Sequence, residues 1–253
     1  MSWASRRRFV IFAIAGAIGI VLLAVLSFAL FYKTPSCSDG VKNQGEAGID
    51  CGGPCAYLCT DQVHAPVVLF TKTLPRSDGR ADVVASVENT NMAAAKNVPY
   101  SIVLYGANQV RVQQVTGTID LPPASTVPVF VSGIASGSQK AVSAFLTIEA
   151  SAPKWFALTA DSRIVPVVSN TTVGGSASLP RIDANLVNGS VTALTNVLVI
   201  VVVHDSQGEV IAASQTIVPN IPAQGYATAT FTWNTPFGHT PTTIEVLPVI
   251  PLP

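Results

Sequence analysis

The sequence predicts a mainly β protein that begins with one apolar helix, continues through a small disulfide-rich module and ends in two tandem β-sandwiches. Three observations lead to this fold class. A long uncharged run lies near the N-terminus, all four cysteines fall between residues 37 and 59, and strand-like runs fill the rest of the 253-residue chain. These runs recur after about 100 residues, which two similar domains in tandem explain.

The uncharged run from Phe9 to Tyr32 is long enough to cross a membrane, since about 20 helical residues span the hydrocarbon core. It is preceded by three arginines and followed by a single lysine: Arg6, Arg7, Arg8 and Lys33. The positive-inside rule therefore predicts a single-pass plasma membrane protein. Residues 1–8 would be cytoplasmic, residues 9–32 would span, and the rest would be an ectodomain.

A cleaved signal peptide is the alternative to this anchor. The apolar core of a signal peptide is usually about 7–15 residues long and ends at small residues. Here the run is longer and ends with the bulky segment Phe28–Tyr32. The sequence therefore favours an uncleaved anchor.

The neutral formal charge of the chain conceals an acidic ectodomain. Residues 34–253 contain all 14 acidic residues but only ten of the 14 basic ones, because Arg6, Arg7, Arg8 and Lys33 lie before them. No basic run occurs there. Nucleic acid is therefore an improbable partner, since its phosphates require clustered Lys and Arg.

The next element, residues 33–62, is predicted to be a module held by Cys37, Cys51, Cys55 and Cys59. Outside the cytoplasm such cysteines form disulfides, and a small loop-rich module needs them for stability. Four cysteines allow three pairings, and the sequence leaves the choice open. A zinc site is a weaker alternative, because Cys37 is 13 residues from the next cysteine and zinc knuckles use about two to four.

Oxygen-bearing side chains between the cysteines suggest a possible Ca²⁺ site. Asp39, Asn43, Glu46 and Asp50 are its candidate ligands, since Ca²⁺ takes roughly six to eight oxygens. The spacing does not match an EF-hand. The alternative is structural: these side chains would cap turns and accept hydrogen bonds from backbone amides.

The run Cys37-x-Asp39-Gly40-x-x-Asn43-x-x-Glu46-x-x-x-Asp50-Cys51-Gly52-Gly53-x-Cys55 resembles a short cysteine-rich module of many secreted and cell-surface proteins. Ala47 stands where that pattern usually has threonine. The resemblance implies a surface location and no enzymatic activity.

The remaining chain is predicted to form two sandwiches, residues 63–152 and 153–253. Strand-like runs in the first are Val67–Leu74, Ala81–Glu88, Val98–Tyr105, Val110–Leu121, Val127–Val131 and Ala141–Glu149, and turn signals separate them. Val83, Ala85 and Val87 alternate with Asp82 and Ser86, which predicts one buried face. The second half repeats this order, with Asn97-Val98 matching Asn196-Val197, for example.

Two central runs of these sandwiches, residues 98–106 and 197–205, resemble the central strand of FxLYD-type immunoglobulin-like domains. The matching residues are Asn89, Asn97, Val98, Leu104 and Tyr105 in the first half, and Asn196, Val197, Asp205 and Gly208 in the second. Gly106 and His204 depart from the pattern. The resemblance implies immunoglobulin-like sandwiches without catalysis, of the kind found on bacterial and archaeal surfaces.

No catalytic residue can be nominated. The three histidines have no metal-ligand spacing, no nucleophile elbow is present, and the carboxylates are scattered singly. The sequence therefore predicts a structural or interaction protein of the cell envelope that binds protein or glycan. The alternatives are the ectodomain subunit of a larger secretion, pilus or transport assembly, and an enzyme with a shallow site.

Overall fold

The computed structural model describes residues 3–32, 35–135, 139–151, 153–158 and 161–253, and for residues 4 and 5 the backbone alone. Lys33 and the end of the predicted turn at residues 132–138 lie outside these ranges. The chain divides into two compact units, Met1–Cys55 and Ala56–Pro253. Each is described by itself.

The first unit begins with helix α1, Trp3–Phe31. Its stretch Arg6–Phe31 contains 18 consecutive residues with a mean hydropathy of 3.0 and is long and apolar enough to cross a membrane. The apolar side chains cover all sides of the helix, and no proline interrupts it. Such a helix has no polar face for water, which fits either a membrane anchor or a signal sequence.

After α1 the chain forms an irregular, turn-rich segment that contains most of the cysteine module. A disulfide joins Cys37 to Cys55. Cys51 and Cys59 are also disulfide-bonded, so no cysteine is free. Two disulfides are therefore present, as predicted. The zinc alternative is wrong, because a sulfur held in a disulfide is not a thiolate ligand.

The second unit contains two β-sandwiches, which confirms the predicted fold class. The first has two sheets, ordered β1-β2-β5 and β4-β3-β6, with β7 paired to β3. Its strands are β1 Val67–Pro75, β2 Arg80–Asn89, β3 Ala93–Tyr105, β4 Arg111–Leu121, β5 Ser125–Ala135, β6 Ser143–Ile148 and β7 Trp155–Ala157. Short 3₁₀ turns occur at Thr60–Gln62 and Ala107–Gln109.

The second sandwich repeats this topology with the sheets β8-β9-β12 and β11-β10-β13. Its strands are β8 Val167–Ser176, β9 Leu179–Asn188, β10 Leu194–His204, β11 Val210–Ile221, β12 Gly225–Thr232 and β13 Thr243–Val249. Strands β8 to β13 thus correspond in order to β1 to β6. Each sandwich has its own apolar core between its two sheets.

A buried asparagine occupies the same place in both sandwiches. The Asn89 side-chain amide donates to the carbonyls of Ala93 at 2.8 Å and Pro122 at 2.6 Å. Asn188 donates to Thr192 at 2.8 Å and Pro222 at 3.1 Å. These contacts show that equivalent residues of the two sandwiches are 99 positions apart in this strand. The repeat seen in the sequence is therefore a repeat of hydrogen bonding as well as of strand order.

Another asparagine pair adopts the same unusual backbone conformation in each central strand. Asn97 and Asn196 have φ values of 53° and 52°. Both residues are left out of the strand pairing, and in β3 the register also shifts at this point. Asparagine visits this left-handed region more easily than most residues, so the Asn-Val repeat noticed in the sequence reflects a conserved local geometry between the two halves.

The two sandwiches pack face to face through a third apolar layer. Val84 of β2, Ile200 and Val202 of β10, and Val210 and Ala213 of β11 form one buried cluster. Phe70, Leu74, Phe130, Leu247 and Val249 pack against it. The order of sheets is therefore β4-β3-β6, β1-β2-β5, β11-β10-β13, β8-β9-β12, a stack of four layers.

This packing corrects the prediction that β2 has one buried face. Val83, Ala85 and Val87 face the core of the first sandwich, as predicted, but Val84 and Ser86 are buried as well. The second sandwich covers that outer face. Strand β10 is buried on both faces for the same reason.

Trp155 lies in the first sandwich, although the sequence division assigned residues 153–253 to the second. Strand β7 pairs with β3, with Trp155 opposite Ala95, and the indole is buried in the first core.

The C-terminal segment returns to the first sandwich. Leu252 is only 2% exposed, and its N–H donates to Asp120 Oδ2 at 2.7 Å. The Lys96 ammonium donates to an oxygen of Pro253 at 2.9 Å. This segment ties the last strand of the second sandwich to the first.

Candidate interaction surface

The outer face of sheet β4-β3-β6 carries an exposed group of aromatic and aliphatic side chains. Val103 pairs with Phe145 across β3 and β6, and Tyr105 follows on the same face of β3. The Tyr105 and Phe145 rings meet edge to face with centroids 5.8 Å apart. Phe145 is 60% exposed. We call Val103, Tyr105, Phe145 and two exposed neighbours, Val110 and Val142, the aromatic patch.

The position of the patch follows from strand register. The backbone N–H of Val142 donates to the carbonyl of Tyr105 at 2.8 Å, and the N–H of Gly106 donates to that of Val110 at 2.8 Å. These bonds hold both valines beside the end of β3, where they are 65% and 46% exposed. The Val103, Tyr105 and Phe145 side chains thus share the outer face, and the two exposed valines border its end.

Polar side chains border the patch. Gln114, opposite Val103 on β4, donates to Ser101 Oγ at 2.6 Å. Arg111 donates to the Gln114 side chain in turn, and Thr147 Oγ1 donates to the Ser101 carbonyl at 3.4 Å. The surface therefore has an apolar centre with hydrogen-bonding groups around it, the usual anatomy of a protein interface.

The internal repeat gives this face a counterpart that is already covered. Ile200 and Val202 occupy in β10 the places that Ser101 and Val103 occupy in β3, and both are buried by the first sandwich. The same side of the second sandwich is thus a docking surface within the chain. On the first sandwich that side faces solvent.

The other outer face, on sheet β8-β9-β12, is polar around Asp183 and Asn185 and exposes the directly paired Val167, Val187 and Tyr226 at one end. Asp183 accepts hydrogen bonds from Thr230 at 2.6 Å and from Arg181 at 2.9 Å. The Arg181 hydrogen bond, with that of Thr230, holds the pKa of the Asp183 carboxyl below its ordinary value. Asn185 accepts from Thr228 at 2.9 Å. This face satisfies its own polar groups and resembles an ordinary solvated sheet surface.

The four candidate calcium ligands mostly bind the backbone of their own loop. Asp50 accepts the N–H groups of Asp39 at 3.0 Å and Gly40 at 2.9 Å, and Asp39 accepts that of Val41 at 2.9 Å. Glu46 accepts those of Asn43 at 3.4 Å and Asp50 at 3.2 Å. These contacts are what the structural alternative predicts.

One atom in this group keeps the calcium alternative open. Asn43 Oδ1 is buried and has no hydrogen-bond partner, while its amide donates to Asp39 at 2.8 Å. A second grouping, Cys37, Glu46 and Cys55, has metal-ligand proximity. Its two sulfurs are bonded to each other, so it is the disulfide with a neighbouring carboxylate.

His204 and His239 of the second sandwich contact the hairpin between β10 and β11. Asp205 Oδ1 accepts the N–H groups of Gln207 at 2.9 Å and Glu209 at 3.0 Å, and Oδ2 lies 2.8 Å from His239 Nδ1. The His239 hydrogen bond is the main cause of the lowered pKa of Asp205. His204 Nδ1 lies 3.1 Å from the Gly208 carbonyl. These contacts cap the turn between β10 and β11.

The sequence located the cysteines and the apolar helix but did not predict the aromatic patch. Arg6, Arg7 and Arg8 are exposed at the start of α1. Tyr105 was noted only for its place in a family pattern. Its neighbour Phe145 lies 40 residues later, and only the β3–β6 register brings the rings together.

Comparisons with known proteins add little. No family model matches the sequence. No curated protein matches it either. Among solved structures, the crystal structure of red sea bream transglutaminase is similar over 74% of this chain and 29% of that chain, at 14% identity and a TM-score of 0.24. So weak a likeness assigns neither fold nor activity. The immunoglobulin-like and FxLYD assignments stay predictions, and so does the absence of catalysis.

Proposed function

We propose that this chain is a single-pass, membrane-anchored protein of a prokaryotic cell envelope that binds a protein partner through the aromatic patch. Helix α1 would be the anchor, with residues 1–8 in the cytoplasm and both sandwiches outside. The arginines before α1 support this orientation. Two disulfides support an oxidising compartment.

The observation that carries the proposal is the unequal use of equivalent sheet faces. In the second sandwich the outer face of β11-β10-β13 is buried by another sandwich. In the first, the equivalent face presents Phe145 to solvent beside the half-buried Tyr105, with the exposed Val142 at its end. A face that serves docking in one repeat is a reasonable docking face in the other.

The chemistry of the patch favours a protein over a glycan. Tyrosine and arginine are enriched among the residues that dominate protein interfaces, and Tyr105 and Arg111 lie on directly paired positions. The flanking valines would bury apolar area against a protein. A sugar ring would use the aromatic rings and leave the valines in water.

The experiment is affinity purification of the full chain from membranes in mild detergent, with Phe145→Ser as the test variant. Val191→Ser is the matched control, because Val191 is 83% exposed and lies outside the patch. A partner that co-purifies with the parent and with Val191→Ser should be lost with Phe145→Ser. Equal recovery of the partner with both variants contradicts the proposal. If Phe145→Ser instead loses binding to a glycan array that the parent binds, the ligand of the patch is a sugar.

The stoichiometry of the partner distinguishes the two forms of this function. A constant molar ratio through size-exclusion chromatography would make the chain an ectodomain subunit of a larger membrane assembly. A ratio that falls on dilution would make it a separate surface-interaction protein.

Topology is tested on intact cells. Protease added outside should digest residues 60–253, whereas complete protection would refute the orientation.

A further inference from the structure

Strand β8 presents an open edge, as β13 does, unlike the other edges of the two sandwiches. Four seams exist where the edges of facing sheets meet. Strands β1 and β6, β4 and β5, and β11 and β12 pack together at three of them. In the first seam the N–H of Leu146 also donates to Thr71 Oγ1 at 3.3 Å. Among the described residues, β8 and β13 make no comparable contact.

The free side of β8 offers unpaired backbone groups. The Asn185 carbonyl points toward β8, where it accepts from Ser169 Oγ at 3.4 Å, and the Pro180 carbonyl points away, toward the N–H of Trp233 at 3.1 Å. Antiparallel pairs alternate in this respect. Asn170, Thr172 and Gly174 therefore face β9. Thr171, Val173 and Gly175 turn their backbone groups to the open side.

Within β8 a bulge between Val168 and Asn170 interrupts the edge, and the stretch that begins at Thr171 has no such guard. Natural edge strands are protected by charges, prolines or covering segments. The sequence from Val167 to Ser176 contains no charged residue and no proline. By contrast, β13 contains Glu245 and Pro248, and β5 contains Pro128. Val173 and Val167 are more than half exposed along the same strand.

A groove runs beside the open edge. It has a volume of about 490 Å³ and lies between β8 and the loop that precedes β13, with Val173, Gly175, Pro180, Phe237, His239 and Pro241 among its lining residues. Side chains of an added strand that point inward, one residue in two, would enter this groove. The apolar rings and valine of its lining suit small or β-branched side chains.

We propose that β8 pairs antiparallel with β8 of a second copy of this chain, joining two three-stranded sheets into one of six strands. Such a pairing is centred on Val173 in both copies and ends before Gly175, whose φ of 78° departs from the extended conformation. A second copy fits because the edge is uncharged and so does not repel itself. It also fits because β8 lacks the charge and the proline that the other open edge, β13, contains. The proposal is independent of the aromatic patch.

The pairing is tested by cross-linking the full chain in detergent or nanodiscs with Val173→Cys. All native cysteines are in disulfides, so the introduced thiol is the one that reacts. Directly paired residues have Cα atoms about 5.5 Å apart, within the range that a disulfide bridges. Mild oxidation should therefore give a covalent dimer. Val191→Cys, with a thiol exposed elsewhere, should give no covalent dimer.

Oligomeric mass gives a second, independent readout. Native mass spectrometry of the unmodified chain should show a dimer whose population rises with concentration. Val173→Lys should abolish it by placing two positive charges face to face, while Val191→Lys should leave it intact. A monomer at all concentrations, or equal cross-linking of Val173→Cys and Val191→Cys, would overturn the proposal.

Discussion

Replacing Val84 by aspartate should separate the two sandwiches without unfolding either of them. Val84 is fully buried in the layer between the sandwiches, in one cluster with Ile200 and Val202. Its counterpart in the second sandwich is Asp183, which lies on an uncovered sheet. An aspartate at this place in the fold is therefore compatible with a sandwich and incompatible with the sheet that covers it.

The size of the effect follows from the charge. At pH 7 the introduced carboxyl can remain between the layers only in its protonated form. Protonating a carboxyl with an ordinary pKa of about 3.9 costs about 4 kcal/mol at that pH, at 1.36 kcal/mol per unit. Losing the buried valine side chain costs about 1.5–3 kcal/mol more. Contacts between the sandwiches would have to exceed this total to keep them docked.

The pH dependence has a definite sign. Burial would raise the pKa of the introduced carboxyl in the docked state above its undocked value, so docking takes up a proton. Docking should therefore recover as the pH falls toward 4 and weaken as it rises. Calorimetry at pH 7 should show the single transition of the parent splitting in two.

Val84→Ala is the control, because it removes side-chain volume and adds no charge. It should lower the melting temperature and keep a single transition at every pH. If Val84→Asp behaves like Val84→Ala at pH 7, with no change between pH 7 and pH 4, the apolar layer does not hold the sandwiches together and the reasoning is wrong.

Four further outcomes test other parts of the structure. Asn89→Ala should lower the free energy of unfolding by about 3–5 kcal/mol in urea titrations, because two buried carbonyls and an amide lose their partner; a loss under 1 kcal/mol would contradict this. Leu252→Ala should cost about 2–5 kcal/mol as a buried leucine truncation, whereas a free tail would cost nothing. The lowered pKa of Asp205 stabilises the fold above about pH 4 and ceases to do so as the pH falls further, so His239→Ala should reduce the acid-induced loss between pH 4 and pH 2. Excess chelator should lower the melting temperature if Ca²⁺ is bound, and an unchanged midpoint would leave only the turn interpretation.

Features that depend on neighbouring residues were predictable from the sequence. The uncharged run that forms α1 needs only its own composition to be recognised. The alternation of Val83, Ala85 and Val87 reports the core face of β2, because side chains in a strand alternate. The crowding of four cysteines within 23 positions likewise predicts oxidation without any knowledge of the fold.

Features that depend on distant residues were not predictable. Ser86 looked solvent-exposed because it is polar, yet Ile200 and its neighbours cover that face from more than 100 positions away. Strand periodicity reports which side is apolar and not what lies against it. The same limit hid the aromatic patch, since no local signal joins Tyr105 to Phe145. It also hid the pairing of Trp155 with β3.

Because of the four-layer stack, we expect the two sandwiches to be retained or lost together during evolution. Tandem domains joined by a linker can be lost, duplicated or exchanged one at a time. Here, deletion of either sandwich would expose Val84 or Ile200 to solvent on an uncovered apolar sheet. It would also remove the contacts between the first sandwich and the segment that ends at Leu252. Descendants of this protein should therefore vary at the outer sheets and retain both halves together, with matched substitutions across the buried layer.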